Sequence, residues 1–130
     1  MDREEFEKYT IETYNCIFDN PWVDMPDYRV FRHPSTAKWF AVAMNIPKCK
    51  LGIKAKGNID IVNMKCDPVM VSNLTGQKGF YPAWHMSKEK WITAALDGSA
   101  DSDTIKMLID ISYDLTKPKI RAKKKEKKDE

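Results

Sequence analysis

Apolar residues at helical spacing mark both ends of this chain. Phe6, Tyr9, Thr13 or Tyr14, and Ile17 recur at three- and four-residue intervals with acidic residues between them, which predicts a helix over about residues 2–17. A second stripe predicts a final helix that begins at a capping residue, Asp101 or Ser102, and ends before the proline at position 118. The residues of this second stripe are Ile105, Leu108, Ile109 and Ser112.

Alternating polar and apolar residues between these helices predict strands. In the clearest case, Ile59 and Ile61 share a face with Asn63, while Val62 shares the opposite face with Asp60, so neither face is wholly apolar. Turn-forming glycine, proline, asparagine and serine residues separate the segments. We predict strands at residues 29–32, 38–44, 59–66 and 92–96, and we interpret residues 45–58 as a long connection or as a hairpin arm with a short strand near 51–54.

A shorter helix should follow Asp67, because aspartate is a good N-cap, Pro68 suits the first helical position and Gly76 can end the helix. The links between strands have hairpin length, and strands and helices do not alternate regularly. We therefore expect a single α+β domain over residues 1–116, with an antiparallel sheet and helices packed on it.

The net charge of +3 is distributed unevenly. Residues 117–130 contain eight basic and three acidic residues and carry +5, which leaves −2 on residues 1–116. A lysine-rich segment of this kind is typical of a disordered tail with non-specific affinity for polyanions. Any nucleic-acid site in the domain itself must therefore be a local basic patch.

The three cysteines, Cys16, Cys49 and Cys66, are odd in number and form no C-x-x-C pair, so we expect neither a disulfide framework nor a metal site. We also expect no organic cofactor. The first residues carry no signal-peptide pattern, and no apolar run approaches the roughly 20 residues that span a bilayer. These features favour a cytoplasmic protein without a membrane partner, and they leave open a monomer or a weak homodimer.

Four lysines cluster in the predicted connection at residues 45–58. On a projecting hairpin arm, their ammonium groups could contact nucleic-acid phosphates and release condensed counterions. The alternative is a solvated edge that resists aggregation, and residue types that read bases are nearly absent there. These candidates are Lys48, Lys50, Lys54 and Lys56.

Aromatic and basic residues crowd together at residues 81–91, just before the last predicted strand. They could form a stacking platform for bases or for a planar ligand. The alternative is a corner of the core, with one tryptophan buried and the histidine bonded to the backbone. The candidates in this segment are Trp84, His85, Lys88, Lys90 and Trp91.

Catalytic chemistry has one weak candidate, the thiol of Cys66 with the imidazole of His85. Cys66 follows apolar residues in a predicted strand, which indicates a buried, unreactive thiol. We therefore assign no catalytic residue and expect a protein that is not an enzyme.

Several of these segments, taken in order, resemble the MmcQ/YjbR family of small bacterial proteins over about residues 28–116. They are K-W-F-A at 38–41, K-C-D-P at 65–68, Y-P-A-W-H-M-S-K at 81–88, K-W at 90–91, L-D-G at 96–98 and I-D-I-S-Y at 109–113. The resemblance implies a fold similar to the frataxin homologue CyaY, also called a double-wing arrangement, and a role in DNA binding. Lys90 departs from the histidine that commonly precedes the tryptophan in this family, so a contact there can depend on charge but not on an imidazole.

Two functions follow as expectations. The first is a DNA-binding module that uses the basic arm and the aromatic and basic surface at 81–91. The second is a small-molecule or protein-interaction domain with a pocket beneath Trp84, His85 and Trp91.

Overall fold

Six strands form one antiparallel sheet in the computed structural model, which describes residues 1–118. Along the chain they are β1 (Ile17–Asp19), β2 (Arg29–Arg32), β3 (Trp39–Pro47), β4 (Asn58–Lys65), β5 (Phe80–Pro82) and β6 (Trp91–Ala95). They lie side by side in the order β1-β2-β3-β4-β6-β5. The helices are α1 (Arg3–Tyr14), α2 (Pro68–Leu74) and α3 (Ser102–Thr116). The predicted α+β class with an antiparallel sheet is confirmed.

Aspartates begin all three helices, because a carboxylate can accept the backbone N–H groups that the first helical turn leaves unpaired. Asp2 caps α1 and forms a reciprocal capping box with Glu5. Asp67 caps α2, with Pro68 at its first position as predicted. Asp101, rather than Ser102, caps α3.

One face of the sheet is covered by helices. Ala41 and Ala43 of β3 and Val62 of β4 are fully buried on this face, and their small side chains leave room for α3 to pack closely. The apolar side of α3 enters this core as predicted, and α1 is tied to α3 by a hydrogen bond from Tyr14 Oη to Asp110 Oδ1 of 3.0 Å. The residues that the helices contribute to the centre are Phe6, Ile105, Leu108 and Ile109.

A buried serine supplies hydrogen-bond partners where the pairing of the sheet strands is interrupted. Phe31 pairs with Ala41 and Arg32 with Trp39, so Phe40 is left as a bulge. Ser112 of α3 donates its hydroxyl to the Phe40 carbonyl and accepts the N–H of Lys65 at 2.8 Å. Both backbone groups are thereby satisfied, which fixes where α3 sits on the sheet.

Within the described residues, the other face of the sheet is covered by loops. Its buried floor consists of the alternate residues of the strands, including Val30, Val42, Met44 and Ile61. Side chains from the connections, such as Trp22, pack on this floor and stay partly exposed. This is the face on which the candidate residues at 84 and 85 lie.

The structure corrects several boundaries. Of the two interpretations of residues 45–58, the arm with its own strand near 51–54 is wrong: Lys48–Leu51 is a 3-10 helix, which Gly52 ends in the left-handed conformation at φ 79°, and the segment connects β3 to β4. The first helix stops at Tyr14 because Asn15 is left-handed at φ 48°. The predicted tail at 117–130 lies, apart from its first two residues, outside the described residues.

Two short strands were not predicted. Ile17 is exposed in β1 rather than buried in a helix, and β5 follows α2 after a tight turn. Both have three residues, which is too short for an alternating pattern to show.

Candidate ligand-binding site

A hollow of about 380 Å³ opens on the loop-covered face of the sheet. Val42 and Met44 of β3 form its floor, and five aromatic or imidazole side chains line it: Trp22, Tyr28, Trp39, Trp84 and His85. The remaining lining residues are Asp24, Met25 and Met86. We call this cavity the aromatic hollow.

The first wall comes from the loop between β1 and β2. Trp22 meets Trp39 edge to face at 5.5 Å between centroids and Tyr28 at 6.0 Å, with interplanar angles of 85° and 78°. Two successive turns shape this loop, closed by the Met25 N–H to the Trp22 carbonyl and the Tyr28 N–H to the Met25 carbonyl. These two turns fix the path of the loop backbone that carries the Trp22 ring.

Hydrogen bonds at the base of this loop hold it against the sheet. The Asn20 side chain donates to the Pro26 carbonyl at 2.9 Å and accepts from Arg29 Nε at 3.1 Å. Arg3 of α1 donates to the Asp27 carbonyl. Val23 at the tip of the loop is 96% exposed.

The second wall, at Trp84, is held by two fully buried polar residues of the sheet. Asn63 of β4 and Thr93 of β6 are direct cross-strand partners on the loop-covered face. The Trp84 N–H donates to Thr93 Oγ1 at 3.0 Å, the Asn63 side-chain amide donates to the Trp84 carbonyl at 2.7 Å, and the Thr93 hydroxyl donates to Asn63 Oδ1. These three bonds fix the backbone of Trp84 over the sheet.

His85 continues this wall in an unusual backbone conformation. Its φ of 60° places it in the left-handed region, which a residue with a Cβ seldom adopts. Its ring lies 4.1 Å from the Trp84 ring, centroid to centroid. Conformations of this kind are often kept at functional sites, where the surrounding structure imposes them.

Three of the nine predicted nucleic-acid residues come together at the outer side of Trp84. Lys50 Nζ lies 5.8 Å from the Trp84 ring centroid. Lys50, Trp84 and Lys88 together line a shallow groove of about 230 Å³. Lys88 Nζ also donates to the Ala83 carbonyl at 3.1 Å, so it helps to close its own loop.

The other predicted residues are distributed around this part of the molecule. Lys48 lines a separate groove with Asp97. Lys54, Lys56 and Lys90 are exposed. Trp91 is half-buried at the start of β6, opposite Lys65 of β4.

Cys66 and His85 lie on opposite faces of the sheet. Cys66 belongs to the helix-covered core, where burial raises the pKa of its thiol, while His85 lines the hollow. The thiol therefore cannot use this imidazole as a base. Within residues 1–118, no three histidine, cysteine or carboxylate side chains are placed to hold a metal ion. No helix in the same part of the chain is long and apolar enough to cross a membrane.

Sequence reasoning missed half of the hollow. Trp22 and Trp39 were visible only as a loop tryptophan and a strand tryptophan far apart in sequence, and only the β2–β3 pairing brings them together. A signal did exist for the other wall: Thr93 is the polar residue of an otherwise apolar β6, and Asn63 lies between the apolar residues Val62 and Met64, which is typical of residues that bond a neighbouring loop.

The fold and the hollow define a class of protein: a small α+β domain whose antiparallel sheet carries helices on one face and loops with an aromatic cavity on the other. The chain belongs to the YjbR family, whose model matches residues 12–115. The predicted family is thus confirmed, and the match begins inside α1, earlier than the predicted start at about residue 28. The protein YyaQ of Bacillus subtilis (strain 168) is 38% identical over 117 residues, which cover 90% of this chain and 99% of YyaQ.

Solved structures support the same assignment. A crystal structure of a protein from Pseudomonas syringae is 41% identical, has a TM-score of 0.87, and the match covers 90% of this chain and all of that one. The Deinococcus radiodurans protein DR2400 matches with a TM-score of 0.65 over 98% of this chain and 83% of its own. At 20% identity, DR2400 indicates the fold alone.

Proposed function

We propose that this protein binds a small, largely apolar molecule in the aromatic hollow. The observation that carries the proposal is that both walls are built in advance: the Trp22 loop and the Trp84 backbone are each held by specific hydrogen bonds. A site that is already ordered loses little conformational entropy when a ligand binds, so less of the contact energy is lost to ordering the site.

The exposure of these rings supports the same proposal. Trp22, Trp39 and Trp84 each remain partly exposed at the hollow, although full burial of an aromatic side chain would favour folding. The partly exposed rings leave apolar contact surface in the free protein that a ligand can cover.

The neutral apolar fluorophore N-phenyl-1-naphthylamine tests this proposal. We expect saturable binding at one site per chain, with quenching of tryptophan emission. Met25→Lys places an ammonium group among the lining residues and should weaken binding at least about tenfold, because a charge in an apolar cavity loses its hydration.

Val23→Lys is the matched control, since Val23 lies in the same loop, is 96% exposed and does not line the hollow. Its affinity for the fluorophore should stay unchanged. Absence of saturable binding to the folded wild-type protein, or equal losses in the two variants, would contradict the proposal.

Nucleic-acid binding is a second candidate, favoured by the position of Lys50 and Lys88 beside Trp84. Two ammonium groups flanking an indole combine a phosphate contact with a stacking surface, which suits a single strand. DNA binding would then use the outer side of Trp84 and not the hollow.

Fluorescence anisotropy with labelled single-stranded and duplex DNA at two salt concentrations tests this second candidate on the full chain. The double variant Lys50→Gln with Lys88→Gln should weaken binding. It should also reduce the slope of log affinity against log salt concentration by about the amount expected for two phosphate contacts. The double variant Lys54→Gln with Lys56→Gln removes the same charge elsewhere in the connection between β3 and β4 and serves as the control. Equal losses in the two double variants would assign the affinity to net charge and not to this site.

A further inference from the structure

The chemistry of the hollow's lining identifies a class of ligand, and this inference rests on the proposed function. Trp22 stands nearly perpendicular to both Trp39 and Tyr28. These three rings and the ring of Trp84 all line the hollow. The face of an aromatic ring carries negative electrostatic potential, so a cation in contact with the exposed faces of these rings is attracted.

The charges at the hollow point in the same direction. Of the lining residues within residues 1–118, Asp24 is the only one with a permanent charge, and neither lysine nor arginine lines the cavity. A carboxylate beside aromatic rings disfavours an anionic ligand and favours a cationic one.

The protein's own cations already use two of these rings. The Arg32 guanidinium lies 5.6 Å from the Trp39 centroid and is paired with Asp19 at 2.8 Å, and Lys50 lies 5.8 Å from the Trp84 centroid. Neither side chain lines the hollow. The Asp19 carboxylate offsets the charge of Arg32, so this ion pair adds little net charge beside Trp39, and Lys50 lines the separate groove on the outer side of Trp84.

We propose that the ligand is a small organic cation with apolar substituents, such as a tertiary or quaternary ammonium compound. The aromatic rings contact its alkyl groups and stabilise its charge, while the Asp24 carboxylate supplies the counter-charge at the rim. A quaternary ammonium group suits this lining because it needs no hydrogen-bond acceptor. The volume of about 380 Å³ leaves room for a further apolar substituent.

Two probes of equal shape separate charge from size. Choline and 3,3-dimethylbutan-1-ol differ only in that a quaternary nitrogen replaces a carbon, and each can be titrated while the indole N–H resonances are followed by NMR. We expect choline to bind at least about tenfold more tightly than the alcohol, with shifts at Trp22, Trp39 and Trp84. Trp91, which does not line the hollow, is the internal reference.

Asp24→Asn should reduce the affinity for choline about three- to tenfold and leave the affinity for the alcohol unchanged. Asp27→Asn makes the same change in the same loop, at a residue that does not line the hollow, and should alter neither affinity. This pair isolates the counter-charge from any effect on the loop.

Four results would overturn the inference. If the alcohol binds as tightly as choline, or Asp24→Asn leaves the preference unchanged, the ligand is not selected by charge, and the hollow stands as a neutral apolar site. If choline shifts Trp91 as strongly as the other indoles, its binding is not at the hollow. If neither probe binds and N-phenyl-1-naphthylamine does not bind either, the proposed function fails together with the inference.

Discussion

The two faces of the sheet use the same strands for different purposes. On the helix-covered face, small residues of β3 and β4 meet α3 in a core whose centre is fully buried. On the loop-covered face, the next residues along the same strands support aromatic rings that stay partly exposed and polar residues that hold a loop. The helix-covered face therefore stabilises the fold, whereas the loop-covered face leaves part of its apolar surface exposed around the hollow.

The largest expected effect lies in the helix-covered core. Leu108→Ala removes a fully buried side chain beneath α3 and should cost about 3 kcal/mol in the free energy of unfolding. Met107→Ala, one residue away and 43% exposed, should cost well under about 1 kcal/mol. Urea unfolding measures both. Similar losses would mean that α3 is not packed as described.

The polar network on the other face should matter almost as much. Thr93→Val keeps the shape of the side chain but leaves the Trp84 N–H and Asn63 Oδ1 without their partner, which should cost about 2 kcal/mol. Amide hydrogen exchange at Trp84 should accelerate, and N-phenyl-1-naphthylamine should bind more weakly.

Thr10→Val is the control for this substitution. Thr10 is also fully buried, but its hydroxyl has no partner within residues 1–118, so its removal should be neutral or stabilising. If the two variants lose equal stability, the Trp84 network contributes nothing specific.

Adjacent residues of β3 allow the two faces to be compared directly. Ala43→Val adds carbon atoms under the helices, where no space is available, and should cost about 1 to 2 kcal/mol. Val42→Ile adds a carbon on the hollow side and should change stability by less than about 0.5 kcal/mol while weakening N-phenyl-1-naphthylamine binding. The reverse order of stabilities would show that the hollow is tightly packed.

The smallest expected effect is a slope of stability with pH, and it comes from His33. Burial lowers the pKa of this imidazole, the Tyr113 carbonyl opposes that shift, and Lys38 adds to it. Its Nε2 lies 2.8 Å from Thr116 Oγ1, whose proton is donated to the Ser112 carbonyl, so Nε2 carries the hydrogen in this pair.

Because the folded-state pKa lies below the ordinary value of 6.5, the unfolded chain takes up the proton first as the pH falls. Stability should therefore be complete above about pH 6.5 and decline as the pH drops toward the lowered value. Urea midpoints measured across this range should show less slope in His33→Gln than in the wild-type protein. An unchanged slope in His33→Gln would assign the pH dependence to other groups.

The repeating patterns of the sequence predicted the elements that are long enough to show a period. The stripe of α3, the capping aspartates and the alternation in β4 all lead directly to the observed elements. The three-residue strands β1 and β5 could not be found in this way. No strand forms near 51–54, because Lys48–Leu51 is a 3-10 helix that the left-handed Gly52 ends.

For the candidate site, the sequence identified Trp84 and His85 as residues of interest, together with Lys50 and Lys88. It could not bring Trp22 and Trp39 to them, nor show that the lysines lie on the outer side of the Trp84 ring.

The sequence by itself determined the family, the α+β class and most helix and strand positions, because these depend on local periodicity, capping and the order of short motifs. Only the tertiary structure decided that five rings from three separate segments line one cavity, in which Asp24 is the single carboxylate among the lining residues of the described chain. Strand pairing and the hydrogen bonds of Asn63 and Thr93 set those distances, and such contacts between residues far apart in the chain leave no periodic trace in it.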